Sequence, residues 1–348
     1  MPLLAQKQPQ KLFSKLDLQE LSALFLQLTR YDNSSGQEQA LIKFTAEYLS
    51  EICSCVRISK IGNVFARAPG RGKPLILSAH LDSANPAKNK KITLARGVFR
   101  SDGKTVLGAD DLAGVAAILF SLRFCQSQQI VTRPLEILLS VQEEIGGRGA
   151  KAFNFKNFHS REALVVDGNS RVGTMINKSP GRYFWQGQID SKAQKKFVLK
   201  KKFFFNSSSF LIIRQQTAQN SQLFLQGEIR FQHFPPRAKI KTILKTNFSK
   251  FFGSELKELK IAAKPYYFPY SHSRQSLRKI CQALTRLKIK PNLRSSFSIS
   301  DANTFNAKRI SAFLIGTGVR NAHTTKETLA LRELVKLTQI LSVMLQSK

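Results

Sequence analysis

Five short stretches of this chain end apolar runs with side chains that bind metals or move protons. VLGADDLAGVAAIL (residues 106–119) carries Asp110 and Asp111, and SAHLDS (78–83) carries His80 and Asp82. LSVQEEIGGRGA (139–150) carries Glu143 and Glu144, VVDGN (165–169) carries Asp167, and NAHTT (321–325) carries His323. Two imidazoles and several carboxylates suit a pair of zinc ions. A hydrolase built on such a pair needs a bridging carboxylate, two private ligands for each metal, and a general base beside the attacking water. Strand side chains alternate with period two, so His80 and Asp82 share one side of a strand end. Asp82 can then hold the imidazole from behind, as outer carboxylates do in zinc sites. Glu143 and Glu144 are neighbours and diverge at a strand end, so one can bind metal while the other faces the water.

Each piece alone has an ordinary structural reading. An HxD is common by chance, an EE pair is usually a solvated helix start, and ADD before a helix can simply be a cap. Their joint occurrence, mostly after buried strands, is what points to a metal site. The surrounding pattern supplies those strands. Amphipathic helices are predicted over about 11–30 and 37–52, followed by VRISKIGNVFARA as a hairpin. PLILSAHLDS, PLEILLSVQEE and ALVVDG read as strands buried on both faces. The central turn opens a helix over about 112–127, and Gly146–Gly149 opens another. The ligands fall at strand C-termini, where ligand sites of parallel α/β sheets lie.

Residues 186–278 differ and carry no metal motif. FFFNSSSFLIIRQQ and SQLFLQGEIRFQHF read as two antiparallel strands, and AKIKTILKTNFSKFFGSELKEL as a helix. The chain returns with a helix near 275–287, the strand ISAFLIG, the His323 loop, and a last helix over about 326–346. The expected fold class is therefore α/β: a mostly parallel central sheet sandwiched by helices, with an inserted α+β lid. The expected domains are 1–185 and 289–348 for the catalytic part and 186–288 for the lid, in keeping with a length of 348 residues.

The chain holds 55 Lys and Arg against 22 Asp and Glu, a net charge of +33. Residues 186–278 alone hold 18 basic against 4 acidic side chains, over a third of that excess. Such a balance favours loose contact with nucleic acid. The basic residues are nonetheless spread along the whole chain without an RNA-reading motif, so specific nucleic-acid binding is not expected. Cys53, Cys55, Cys125 and Cys281 include no second close pair to complete a zinc knuckle and read as free thiols. No apolar run reaches the roughly 18 residues of a membrane span. The opening MPLLAQKQPQKLF lacks a signal peptide's apolar core, so a cytoplasmic location is expected.

The ordered segments SG-E, GNV-A, AHLD, DG-LGADD-AGVAAIL, EEIG-GAK, D-VG-I-SP, SDAN-FN and G-G-NAHTT resemble the co-catalytic zinc exopeptidase family. That family includes peptidase T, carboxypeptidase G and the acetylornithine and succinyl-diaminopimelate deacylases, and the closest similarity is to peptidase T-like members. It covers about residues 20–185 and 275–348. The resemblance implies two Zn²⁺ ions, with Mn²⁺ or Co²⁺ able to compete for the same ligands. It implies that Asp110 bridges the ions across a cis Asp110–Asp111 peptide. His80 and Asp167 would complete one site, and Glu144 and His323 the other. Asp82 would orient His80, and Glu143 would act as general base. The implied activity is an aminopeptidase acting on short peptides, with a possible homodimer through the lid. Two departures stand out, and the first points to an alternative, an amide deacylase or a weakly active relative. Lys195, in IDSKAQKKF, stands where the family's lid carries a His, and Ser298 and Ile299 replace glycines before SDAN.

Overall fold

The computed structural model describes residues 12–190, 202–206, 209–219, 222–232, 242, 246, 256–261, 266–273 and 277–347. The chain divides into two units: Met1–Asn177, His272–Arg294 and Ser300–Lys348 form one, and Lys178–Ser271 with Ser295–Ile299 form the other.

The first unit opens with α1 (Lys15–Thr29) and α2 (Gln39–Ser50). Ser14 and Asp17 close a capping box on α1, which satisfies two of its first free N–H groups. The hairpin β1 (Cys55–Ile58) and β2 (Val64–Ala68) leads to β3 (Leu75–His80), then to the hairpin β4 (Ile92–Ala95) and β5 (Val98–Ser101). After these come α3 (Ala109–Ser127), β6 (Leu135–Ser140), α4 (Arg148–Ala152), β7 (Glu162–Gly168) and β8 (Thr174–Ser179).

The second unit holds β9 (Gly181–Asp190), β10 (Lys202–Asn206), β11 (Ser209–Gln219), β12 (Gln222–Phe231), β13 (Leu256–Ile261) and β14 (Tyr270–Ser271). The chain then returns through α5 (Arg278–Arg286), β15 (Asn292–Ser295), α6 (Asp301–Ala307), β16 (Ser311–Gly316), β17 (Thr328–Ala330) and α7 (Leu331–Leu345).

The main sheet runs β1-β2-β6-β3-β7-β16-β8. Its four central strands, β6, β3, β7 and β16, pair parallel, while the flanking pairs are antiparallel. Every residue of β3 and β6 is buried, which explains why both are mostly apolar. α3 packs against β3, β7, α1 and α7, and its interior is buried almost throughout. The C-terminal ends of β3, β6 and β7 deliver His80, the Glu143–Glu144 turn and Asp167.

Three local expectations change. FFFNSSSFLIIRQQ holds parts of two strands rather than one: β10 and β11 pair antiparallel, with Asn206 opposite Ser209. Leu256–Leu259, expected as the end of a helix, belong instead to β13 (Leu256–Ile261), which pairs with β9. Six residues are too few to separate a period of 3.6 from a period of 2, and sheet pairing decides. The last helix starts at Leu331, since Thr328–Ala330 pair with β5 instead.

Candidate metal centre

All the candidate ligands lie in the first unit. The turn before α3 sets the centre. Gly108 adopts φ +77°, and the Asp110–Asp111 peptide is cis. Asp110 and Asp111 lie off helical geometry, so regular helix follows them. α3 can approach β7 this closely only because residue 114 is glycine: a Cβ there would stand 2.0 Å from the Val166 carbonyl oxygen.

The Asp110 carboxylate faces two ways. Its Oδ1 is 3.6 Å from Nε2 of His80, and its Oδ2 is 2.8 Å from Nε2 of His323. Asn169 donates a further hydrogen bond of 2.8 Å to Oδ2. His80 Nε2 is also 3.5 Å from Asp167 Oδ1, and His323 Nε2 is 2.9 Å from Glu144 Oε1. Two ligand groups result, His80–Asp110–Asp167 and Asp110–Glu144–His323, each with its donor atoms within 4.8 Å of one another.

The donor sets and spacings fit divalent metals. Ligand atoms about 2.1 Å from a tetrahedral ion stand about 3.4 Å apart. The first group's 3.5 and 3.6 Å separations are close to that and too long for hydrogen bonds. In the second group Glu144 Oε1 is buried and makes no hydrogen bond, although His323 stands beside it. Nδ1 of His80 lies 2.8 Å from the backbone carbonyl of Asp82, which can only accept, so Nδ1 carries a proton and Nε2 is left for the cluster.

Asp82 is fully buried, and its Oδ1 lies 3.4 Å from Nδ1 of His80. Its shorter contacts are elsewhere. The carboxylate accepts the N–H groups of Glu143 (2.8 Å) and Glu144 (3.1 Å) and the Ser35 hydroxyl (2.6 Å). One carboxylate thus supports the imidazole and holds the turn that carries the two glutamates.

Electrostatics show how strongly the cluster calls for positive charge. Burial disfavours a charged His80, yet the facing carboxylates of Asp110, Asp167 and Asp82 outweigh it and hold the imidazole well above its usual pKa. The facing carboxylates of Asp110 and Glu144 push His323 up to about 11. Burial pushes Asp167 up to about 7 against the opposing pull of His80, and raises Glu143 well above the carboxylate range. Burial also raises Asp111, whose Oδ2 accepts the His80 N–H at 3.2 Å.

Four further side chains serve this centre without standing out in the sequence: Ser35, Asn169, Asp301 and Glu327. Asp301 is buried and accepts the Ser140 hydroxyl at 2.5 Å, and burial pushes it up to about 6. Ser35 and Asp301 lie inside segments that carry the family resemblance, and Asn169 and Glu327 lie within four residues of candidate ligands, so proximity was the available signal. Away from the centre, His159 contacts Glu136, and His272 contacts the Ala312 carbonyl. Lys195 and His233 lie outside the described residues. All four cysteines are free, Cys125 buried and the others partly so.

The family model for Peptidase family M20/M25/M40 matches residues 76–347. The uncharacterized protein YqjE of Bacillus subtilis is 26% identical over 166 residues, 45% of each chain. Peptidase T of Escherichia coli K12 is 40% identical over 75 residues, which cover 22% of this chain and 18% of that protein. The chain thus spans less than half the length of the curated relatives it matches. The crystal structure of aminopeptidase PepT from Bacillus cereus superposes with a TM-score of 0.81 at 20% identity, covering 94% of this chain and 98% of that one. Among the described residues, no helix is long and apolar enough to cross a membrane.

Proposed function

Because the chain belongs to peptidase family M20/M25/M40, we propose that it is a dinuclear zinc aminopeptidase releasing N-terminal residues from short peptides. The observation that carries this reading is the division of Asp110, with one oxygen toward His80 and the other toward His323. A carboxylate shared in this way is what a bridged pair of ions requires. His80 and Asp167 would hold one ion, and Glu144 and His323 the other. Bound zinc would supply Lewis acidity toward the scissile carbonyl.

The chain's own residues do the rest. Glu143 takes a proton from the attacking water and passes it to the leaving amine. Asp82 holds the Glu143 backbone, so the base is fixed relative to its neighbour Glu144. The proposal includes a free α-amine on the substrate, a cytoplasmic location and a homodimer through residues 186–288.

Free amino-acid release from unblocked di- and tripeptides by zinc-loaded protein tests the reading. Glu143→Ala is expected to lower the rate by about 10²–10⁴-fold while both ions remain bound. Absence of release by wild-type protein with two ions bound would turn the reading to amide deacylation, which Lys195 in the lid sequence favours.

A further inference from the structure

Glu327 is 2% exposed, and both of its carboxylate oxygens are engaged at the turn that carries Asp110. Oε1 accepts the Asp110 N–H at 2.9 Å, and Oε2 accepts the Gly108 N–H at 2.8 Å. Helix α3 has no side-chain cap from its own N-cap residue, Gly108. The first N–H groups of a helix have no partner within it. Glu327 gives partners to two N–H groups of the turn that leads into the regular helix, from more than 200 residues away in sequence.

Glu327 also belongs to the loop that bears His323. Arg320 and Thr328 close this loop with two backbone hydrogen bonds, of 2.9 and 3.0 Å. The Glu327 N–H donates to the Thr324 carbonyl at 3.1 Å, and the Thr324 hydroxyl donates to the Asn321 carbonyl at 2.7 Å. Asn321 and His323 have φ of +53° and +63°, so the loop holds two side-chain-bearing residues in left-handed backbone. A single buried carboxylate therefore ties the loop carrying one histidine to the turn carrying the carboxylate that both groups share.

We propose that Glu327 is a positioning residue that couples the two ligand groups, fixing Asp110 and His323 relative to each other. The proposal rests on the two-ion reading above. Its chemistry is specific to a carboxylate, because two N–H donors face one side chain that has only acceptors. A glutamine offers one acceptor and one NH₂, so one buried backbone N–H would meet another donor. An aspartate keeps both acceptors with one methylene less reach.

A second carboxylate provides the control. Glu136, buried on β6, accepts the N–H groups of His159 (3.0 Å) and Ser160 (2.9 Å) by the same chemistry, outside the ligand groups. The test compares Glu327→Gln, Glu327→Asp and Glu136→Gln in the full chain. Zn²⁺ stoichiometry and affinity are measured by equilibrium dialysis, and exchange of the Gly108 and Asp110 amides is measured without metal. Glu327→Gln is expected to lose about 10–100-fold in affinity for the second ion, the range typical of outer-shell groups. Its two amides are expected to exchange at least about tenfold faster, with Glu327→Asp between it and wild type. Glu136→Gln is expected to melt earlier yet bind both ions as wild type does. Wild-type metal affinity in Glu327→Gln would overturn the proposal, and so would an equal loss in Glu136→Gln. Wild-type protein that fails to bind two ions would overturn the two-ion reading itself, and the proposal with it.

Discussion

His80 and His323 face opposite oxygens of one carboxylate but are built into different surroundings. The His80 side chain is 3% exposed and closes a fully buried parallel strand, whereas that of His323 is 50% exposed on a loop. The partner of His80, Asp167, stands at the end of the neighbouring parallel strand, so a backbone ladder fixes their separation. The partner of His323, Glu144, sits in a turn held by Asp82. The distances follow: 3.5 and 3.6 Å in the first group, an ion's spacing, against 2.8 and 2.9 Å in the second, an ion pair's spacing. The first group is set by the sheet, and the second must part by about half an ångström to reach tetrahedral ligand spacing. The second ion is therefore expected to be the weaker and more exchangeable.

The most disruptive way to break this contrast is Gly114→Ala. Its Cβ would meet the Val166 carbonyl at 2.0 Å and Asp111 Oδ1 at 2.6 Å, pushing α3 away from β7. A loss of about 3 kcal/mol or more in denaturant unfolding is expected, since overpacking against backbone has no cheap relief. An unchanged midpoint would mean that the sheet does not hold the first group as tightly as argued.

Removing single ligands should separate the groups. His80→Ala is expected to lose the tighter ion, by more than about 100-fold in affinity, a larger cost than outer-shell changes bring. His323→Ala is expected to keep one tight ion per chain. Metal analysis after gel filtration reads both, and equal losses in the two variants would erase the distinction. In wild type, graded chelation should remove one ion well before the other.

The smallest effect is a stability profile on the rigid side. Lys90 is buried, donates to the Asn33 side chain, and would stand 3.3 Å from a Cβ on Gly108. Burial pushes it down to about 8 from 10.5, against the opposing charges of Asp32 and Glu327. Between those pH values the unfolded chain holds more protons than the folded one, so stability rises with pH. The cost of the buried ammonium is fully present below pH 8 and relieved as pH climbs toward 10.5. Between pH 7 and 10 this contributes about 2 kcal/mol. Lys90→Met should flatten that part of the profile, and an unchanged slope would show that Lys90 titrates as an exposed lysine does.

Much of this was legible in the chain itself. The mostly apolar runs of β3, β6 and β7 marked buried parallel strands, because residues covered on both faces do not alternate strictly. The ligand types at the ends of those runs marked a candidate metal site, because imidazole and carboxylate together are donors that divalent metals take. The short edge strands β13 and β17 were not legible, since six or three residues carry too little periodicity to declare themselves.

Sequence alone determined the fold class, the family and the candidate ligands, all of which depend on residue type and local pattern. Tertiary structure decided which oxygen of Asp110 faces which histidine, that Asp82 holds the Glu143–Glu144 turn, and that Glu327 reaches Gly108 and Asp110. Those arrangements depend on contacts between residues tens to hundreds of positions apart. Local pattern carries no record of such contacts, because any buried carboxylate near two free N–H groups would serve them equally well.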